Sequence, residues 1–265
     1  MQMTAPRWKL ALDKALAASP KATGTAGKER EDSCLNLLTV IQLASIDVNT
    51  PVPHVRSLVF RSFVSPTNDE SHPLLLATTG GIDLLTAKET NWNVIDVRSP
   101  KTAQLISNPH VQVVWYIEGT QEQYRIAGTA RVIPAPGEGL YKHFVHTLVE
   151  LQNTAKPSSF DWEAKRLAVF RSMSPFMKAS WCRPVPGSRL EGGQEEARKW
   201  PTEIHEPAAD DAEAKKLWDM SLGNFALVVI EPSEVDHIEL APVPNLRTRY
   251  WRSNNGVWKD EELVP

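Results

Sequence analysis

The sequence predicts a mainly β protein with flanking helices, built on an antiparallel sheet or barrel, and three observations predict it. Runs of strand length rich in Val, Ile, Leu and Thr recur at 35–46, 54–64, 73–79, 111–117, 123–133, 225–232, 234–240, 247–253 and 257–264. Most are joined by short connections: a Pro-containing turn lies between the first two, and Asn254, Asn255 and Gly256 supply a hairpin turn near the end. Helical periodicity is confined to the N-terminal segment, to 138–152 and 161–174, and to one short stretch after Ser99.

Taken in order, Trp8, Leu10, Leu12 and Leu16 with Ala11 and Ala15 read as an amphipathic helix, and the polar stretch 19–32 as a linker. Residues 1–32 are therefore expected to form a helix and linker that dock on a single domain of 33–265. Residues 80–93 separate the third strand from the next turn and read as an insertion. Residues 184–211, rich in Pro, Gly, Glu and Arg without periodicity, read as a second insertion, a surface loop or partly disordered.

With 265 residues at 42% hydrophobic content the chain can bury a full core. A net charge of −3 gives no global attraction to nucleic acid or to an anionic membrane, so any anion site must be built locally. Cys34 and Cys182 lie far apart and form no paired motif, which argues against a disulfide framework or structural zinc and fits a reducing, cytoplasmic compartment. Lys9, Asp13 and Lys14 interrupt the N-terminal apolar pattern, unlike a signal peptide, and no run approaches the roughly 18 apolar residues of a membrane span.

Two places concentrate cations. In the stretch Asp96-Val97-Arg98-Ser99-Pro100-Lys101, Ser99 is a favoured helix N-cap and Pro100 fits the first helical position; the helix runs to Asn108, where Pro109 stops it. A helix start already carries partial positive charge and free N–H groups, so Arg98 and Lys101 there either point into solvent or await an anion such as a phosphate. In the strand His54–Val64, alternation puts Arg56, Leu58 and Phe60 on one face and Ser57, Val59 and Arg61 on the other. A half-buried strand with an arginine on each face calls for an acidic partner or a ligand for at least one of them.

The order of these motifs resembles a known family. Val55 to Phe63, then a strand, then Asp96 to Tyr116, then Glu122 to Ile133 looks like the flavin-binding core of the pyridoxamine 5′-phosphate oxidase-like split-barrel proteins, especially their branch defined by the FMN-binding domain alone. That resemblance implies a split β-barrel homodimer holding FMN at the subunit interface. It implies that Arg56, Arg61, Ser99 and Lys101, with Arg98 beside them, face the FMN phosphate or ribityl chain. It also places Ser57, the backbone of Leu58 and Val59, Thr78 or Thr79, and Gln123 near the flavin, with Arg249 closing the site from the C-terminal region.

The match thins where a true oxidase builds its substrate phosphate site. Arg171, Ser172, Ser174 and Lys178 carry suitable chemistry without the oxidase spacing, so vitamin B6 oxidation is not implied. His143 and His146 lack the further ligands of a metal site, the Gly-Lys of 24–30 lacks the rest of a phosphate loop, and the tryptophans read as core or dimer interface. The expectation is a dimeric FMN-dependent oxidoreductase acting on a small molecule. The alternatives are a flavin-binding protein without catalysis, or the same fold holding haem or a deazaflavin.

Overall fold

The computed structural model describes residues 5–19, 40–47, 51–65, 70, 72–78, 96–137, 139, 141 and 160–265. Its centre is an antiparallel sheet of eight strands: β1 (Val40–Ile46), β2 (Pro53–Val64), β3 (Leu74–Thr78), β4 (His110–Ile117), β5 (Glu122–Ile133), β6 (Leu227–Glu239), β7 (Leu246–Arg252) and β8 (Trp258–Glu262). The order is β3-β2-β1-β4-β5-β6-β7-β8, and a β3–β6 pairing closes the first six into a barrel. The architecture is thus a split barrel with flanking helices.

Closure depends on β6 changing partners along its length. Its first residues, Val228 to Ile230, pair with β3, and its last, Glu234 to Glu239, pair with β7, while β5 follows it on the other side throughout. The ladder slips between Ala127 and Gly128, where a Cβ on Gly128 would stand 2.3 Å from the Glu231 carbonyl oxygen, so only glycine fits the close approach. The sequence pattern predicts two strands here, at 225–232 and 234–240; the structure makes one, because Pro232 still pairs with Gly128 and the bulge takes up Ser233 without ending the pairing.

The barrel interior is filled by alternating residues of its strands: Ile41 and Leu43, Leu58, Leu75 and Ala77, Val111, Val113 and Trp115, Tyr124 and Ile126, Val228 and Ile230. Helix α1 (Arg7–Ala18) adds Trp8, Leu12 and Ala15 to that core, with the Trp8 ring 5.5 Å from Trp258 and 6.0 Å from Phe63. Helix α2 (Pro100–Ser107) adds Leu105.

A second core lies against the outside of β3 and β6, where Leu74, Leu76, Leu227 and Val229 meet a helical layer. That layer comprises α3 (Trp162–Arg171), α4 (Pro175–Ala179) with a 3-10 turn at Ser180–Cys182, α5 (Gly193–Ala197) and α6 (Ala212–Asn224). Periodicity does not single out α6, although Asp211 caps it by accepting from the Ala214 N–H and it buries Trp218 and Ser221. The Pro/Gly-rich segment 184–211 lies against this layer through the buried Ile204, whose N–H donates to the Pro175 carbonyl. The expected helix at 138–152 and the insertion at 80–93 fall almost wholly outside the described residues. Among the described residues no helix is long and apolar enough to cross a membrane.

Candidate functional site

Strand β2 pairs Arg56 with Leu43 of β1, and Leu43 pairs with Val113 of β4, so Arg56 belongs to the row that points into the barrel. Helix α2 closes over that end. Its start follows the predicted chemistry in backbone terms: Ser99 is the extended N-cap, Pro100 occupies the first turn, and Asn108 ends the helix before Pro109. Ser99 departs from the expectation in its side chain, which makes no cap hydrogen bond and lies 3.5 Å from the Thr102 hydroxyl.

Lys101 sits in the first turn, only 6% exposed, with its Nζ buried and without a hydrogen-bond partner. Arg56 reaches the same helix, donating from Nη2 to the Gln104 Oε1 at 2.8 Å, while its Nη1 is buried and unpartnered. Burial, and then the charge of Arg56, push the Lys101 ammonium down to about 7; burial alone lowers Arg56. No carboxylate among the described residues offsets either charge. Two desolvated cations beside an acid-free helix start are costly as they stand and suited to an anion.

In the turn before α2, Arg98 has an acidic partner. Asp96 is 1% exposed, and a carboxylate so buried requires a cation. Arg98 provides it, donating from Nε to Asp96 Oδ1 at 2.7 Å and from Nη2 to Asp96 Oδ2, with a further 3.0 Å bond from Nη2 to the Arg183 carbonyl. Its Nε and Nη2 thus tie the turn together three residues before Lys101.

The remaining predicted residues divide by face. Leu58 and Val59 bury their side chains, leaving only backbone to face a ligand, and Thr78 pairs with Val59 at the end of β3. Thr79 lies outside the described residues. Ser57 points outward, donating to the Gln42 Oε1 at 3.0 Å. A single cross-strand row joins Ser57, Gln42, Val114, Arg125, Asp236 and Arg249 on this outer face. Gln123 lies on the same face of β5; with its amide oxygen turned toward Arg125 it accepts bonds of 2.7 and 3.1 Å. Arg249 is paired with Glu234 at 2.8 Å and Glu261 at 3.5 Å, and the described chain does not bring it to Arg56. Arg61 sits at an irregularity between Phe60 and Ser62, its Nη2 3.8 Å from the Met177 Sδ of α4. Gln104 is absent from the sequence-predicted set, although its place three residues after Lys101 puts it on the same helix face.

FMN ends in a phosphate dianion. The unpartnered Lys101 Nζ and Arg56 Nη1, next to the N–H groups of the α2 start, fit that group. Residues 5–134 match the family model for "Pyridoxamine 5'-phosphate oxidase, FMN-binding domain". The chain carries a pyridoxamine 5′-phosphate oxidase-type FMN-binding domain. Its fold is similar to that of a pyridoxamine 5′-phosphate oxidase-related, FMN-binding protein from Nostoc punctiforme, at 23% identity and a TM-score of 0.63, covering 99% of this chain and 100% of that one. It is also similar to PhzG from Burkholderia lata in complex with tetrahydrophenazine-1-carboxylic acid, at 15% identity and a TM-score of 0.53, covering 98% and 89%. Among curated proteins none matches.

Beside this oxidase-type domain, the helical layer does not assemble the phosphate-binding group that Arg171, Ser172, Ser174 and Lys178 suggest. Lys178 donates to the Arg171 carbonyl at 3.1 Å and lies against the Phe170 and Trp218 rings. Arg171 faces Glu206 at 3.4 Å, Ser172 donates to the Val169 carbonyl, and the Ser174 hydroxyl caps α4. Among the described residues no three metal-ligating side chains cluster, and His143 and His146 lie outside them.

Proposed function

We propose that the protein binds FMN and uses it as an oxidoreductase on a small molecule. The observation that carries this reading is the buried pair Arg56 and Lys101, two cations with no described acid, set at a helix start inside a family defined by FMN binding. Lys101 and Arg56 would hold the phosphate, Gln104 fixes the Arg56 guanidinium, and Arg98 locks the turn on Asp96. When bound, FMN supplies the redox chemistry, accepting a hydride equivalent at its ring. The chain's own contribution is to bind, orient and shield it; Leu58 and Val59 provide a rigid backbone wall, and Ser57, Gln123 and Arg61 are the polar groups proposed near the ring and ribityl chain.

We also propose a homodimer formed through the outer face of β2, β1 and β4. Val55 is 67% exposed and Tyr116 49%, and with Ile46, Val52 and Val114 they leave an apolar surface on a sheet face that also carries Ser57. The two cysteines, of which Cys182 is a free thiol, suit a cytoplasmic setting. The commitment of Lys178 and Arg171 to other partners argues against vitamin B6 phosphates as the substrate.

The test is to purify the protein, record its absorption, denature it and weigh what is released, then titrate FMN and riboflavin into stripped protein. A released FMN mass, and FMN binding far tighter than riboflavin, are expected. Equal affinity for the two would remove the phosphate site, and a haem or deazaflavin mass would replace the cofactor.

A further inference from the structure

One further cation stands in the same condition as Arg56 and Lys101, outside the proposed phosphate site. Arg183 makes no ion pair among the described residues, its Nε is buried without a partner, and burial alone lowers its pKa. Its guanidinium carbon lies 5.8 Å from the centre of the Phe176 ring. Met177, next to Phe176 in α4, lies 3.8 Å from the Arg61 Nη2, so the helix that carries Phe176 meets β2 at Arg61.

The segment carrying Arg183 is fixed to the turn that starts α2. Asp96 bridges to Phe225, the Val97 N–H donates to the Asn224 carbonyl, and Asn224 Nδ2 donates to the Trp181 carbonyl at 2.9 Å. The Arg98 bond to the Arg183 carbonyl completes the frame. A cation mounted this firmly, partly desolvated and lying over an aromatic ring, has the groups that recognise a carboxylate on a planar ring: a guanidinium fork and an apolar face.

Resting on the flavin reading above, we propose that Arg183 and Phe176 bind the carboxylate end of an aromatic acid substrate, making Arg183 a specificity residue of the site. The probe is benzoate, with benzyl alcohol as its uncharged counterpart, titrated by calorimetry into the protein with and without FMN. Benzoate is expected to bind, benzyl alcohol to bind at least about ten-fold more weakly, and both Arg183→Ala and the bulkier, polar Arg183→Gln to lose about ten-fold or more in benzoate affinity. In the FMN-loaded protein benzoate is also expected to shift the flavin absorbance, and the two variants to bind FMN as the parent does. Benzoate binding unchanged in both folded variants, no benzoate binding by the parent, or equal binding of the alcohol would overturn the proposal. Arg183-dependent benzoate binding by a protein that takes up no FMN would leave this subsite standing and sink the flavin reading instead.

Discussion

The cations of β7 and those around the start of α2 are of the same residue types and are treated in opposite ways. On β7, Arg247 meets Asp236 at 2.9 Å, Arg249 meets Glu234 at 2.8 Å and Arg252 meets Glu231 at 2.7 Å. Hydrogen bonds to those carboxylates raise the pKa values of Arg247 and Arg249, which is what a charge stabilised within the fold does. Around α2, burial lowers Arg56, Lys101 and Arg183, and no described carboxylate compensates. The first set staples neighbouring strands; the second holds charge at a cost to stability, which a bound anion would offset.

The largest effect expected from this contrast is on the cofactor. Arg56→Ala and Lys101→Ala should each weaken FMN by about a hundred-fold, the loss of a charge-assisted contact, while riboflavin binding changes little. Equal losses for both ligands, read by fluorescence titration, would break the distinction.

Next in size is the structural counterpart. Glu231 lies between Arg131 at 2.9 Å and Arg252 at 2.7 Å, so Arg252→Ala leaves a half-paired, mostly buried carboxylate. A loss of about 1–3 kcal/mol in denaturant unfolding, with FMN affinity unchanged, is expected.

The pH dependence sharpens the comparison further. Lys101 titrates near 7 in the folded chain against an ordinary 10.5, so between those values the unfolded chain holds a proton that the folded one has released. Stability without ligand therefore rises with pH from about 7 to about 10.5 and is flat below that window. Lys101→Met should raise the melting temperature at pH 6 and flatten the rise, and FMN affinity of the parent should fall as pH climbs above 7, where binding must restore the proton. Melting curves across pH with and without FMN measure all three. The smallest effect is expected at Arg249, where Arg249→Ala should leave FMN affinity within about two-fold because an exposed, carboxylate-paired arginine contributes little. A larger loss would show that a second copy of the chain brings Arg249 to the flavin.

Much of this molecule is legible along the chain because the signals are local. Alternation marks the strands of the barrel, and Ser99, Pro100, Asn108 and Pro109 bound α2 within a residue. The continuity of β6 was hidden because Pro232 ordinarily breaks a ladder, and only the tight contact between Gly128 and Glu231 shows how the bulge carries it. Helix α6 was hidden because its buried face, Trp218 and Ser221, is narrow and partly polar. Arg98 and Lys101 look alike in the sequence, both cations at one turn.

By itself, then, the sequence determined the mainly β class, the order of the strands and the place of a helix start flanked by cations, since these follow from side-chain periodicity and capping over a few residues. Only the tertiary structure decided which cation meets an acid and which does not. Arg98 turns back on an Asp96 that becomes buried only when the turn packs against Phe225, and Arg56 reaches Gln104 across 48 residues of chain. Pairing and desolvation are set by distances through space, so they arise when the barrel closes and α2 settles over its end.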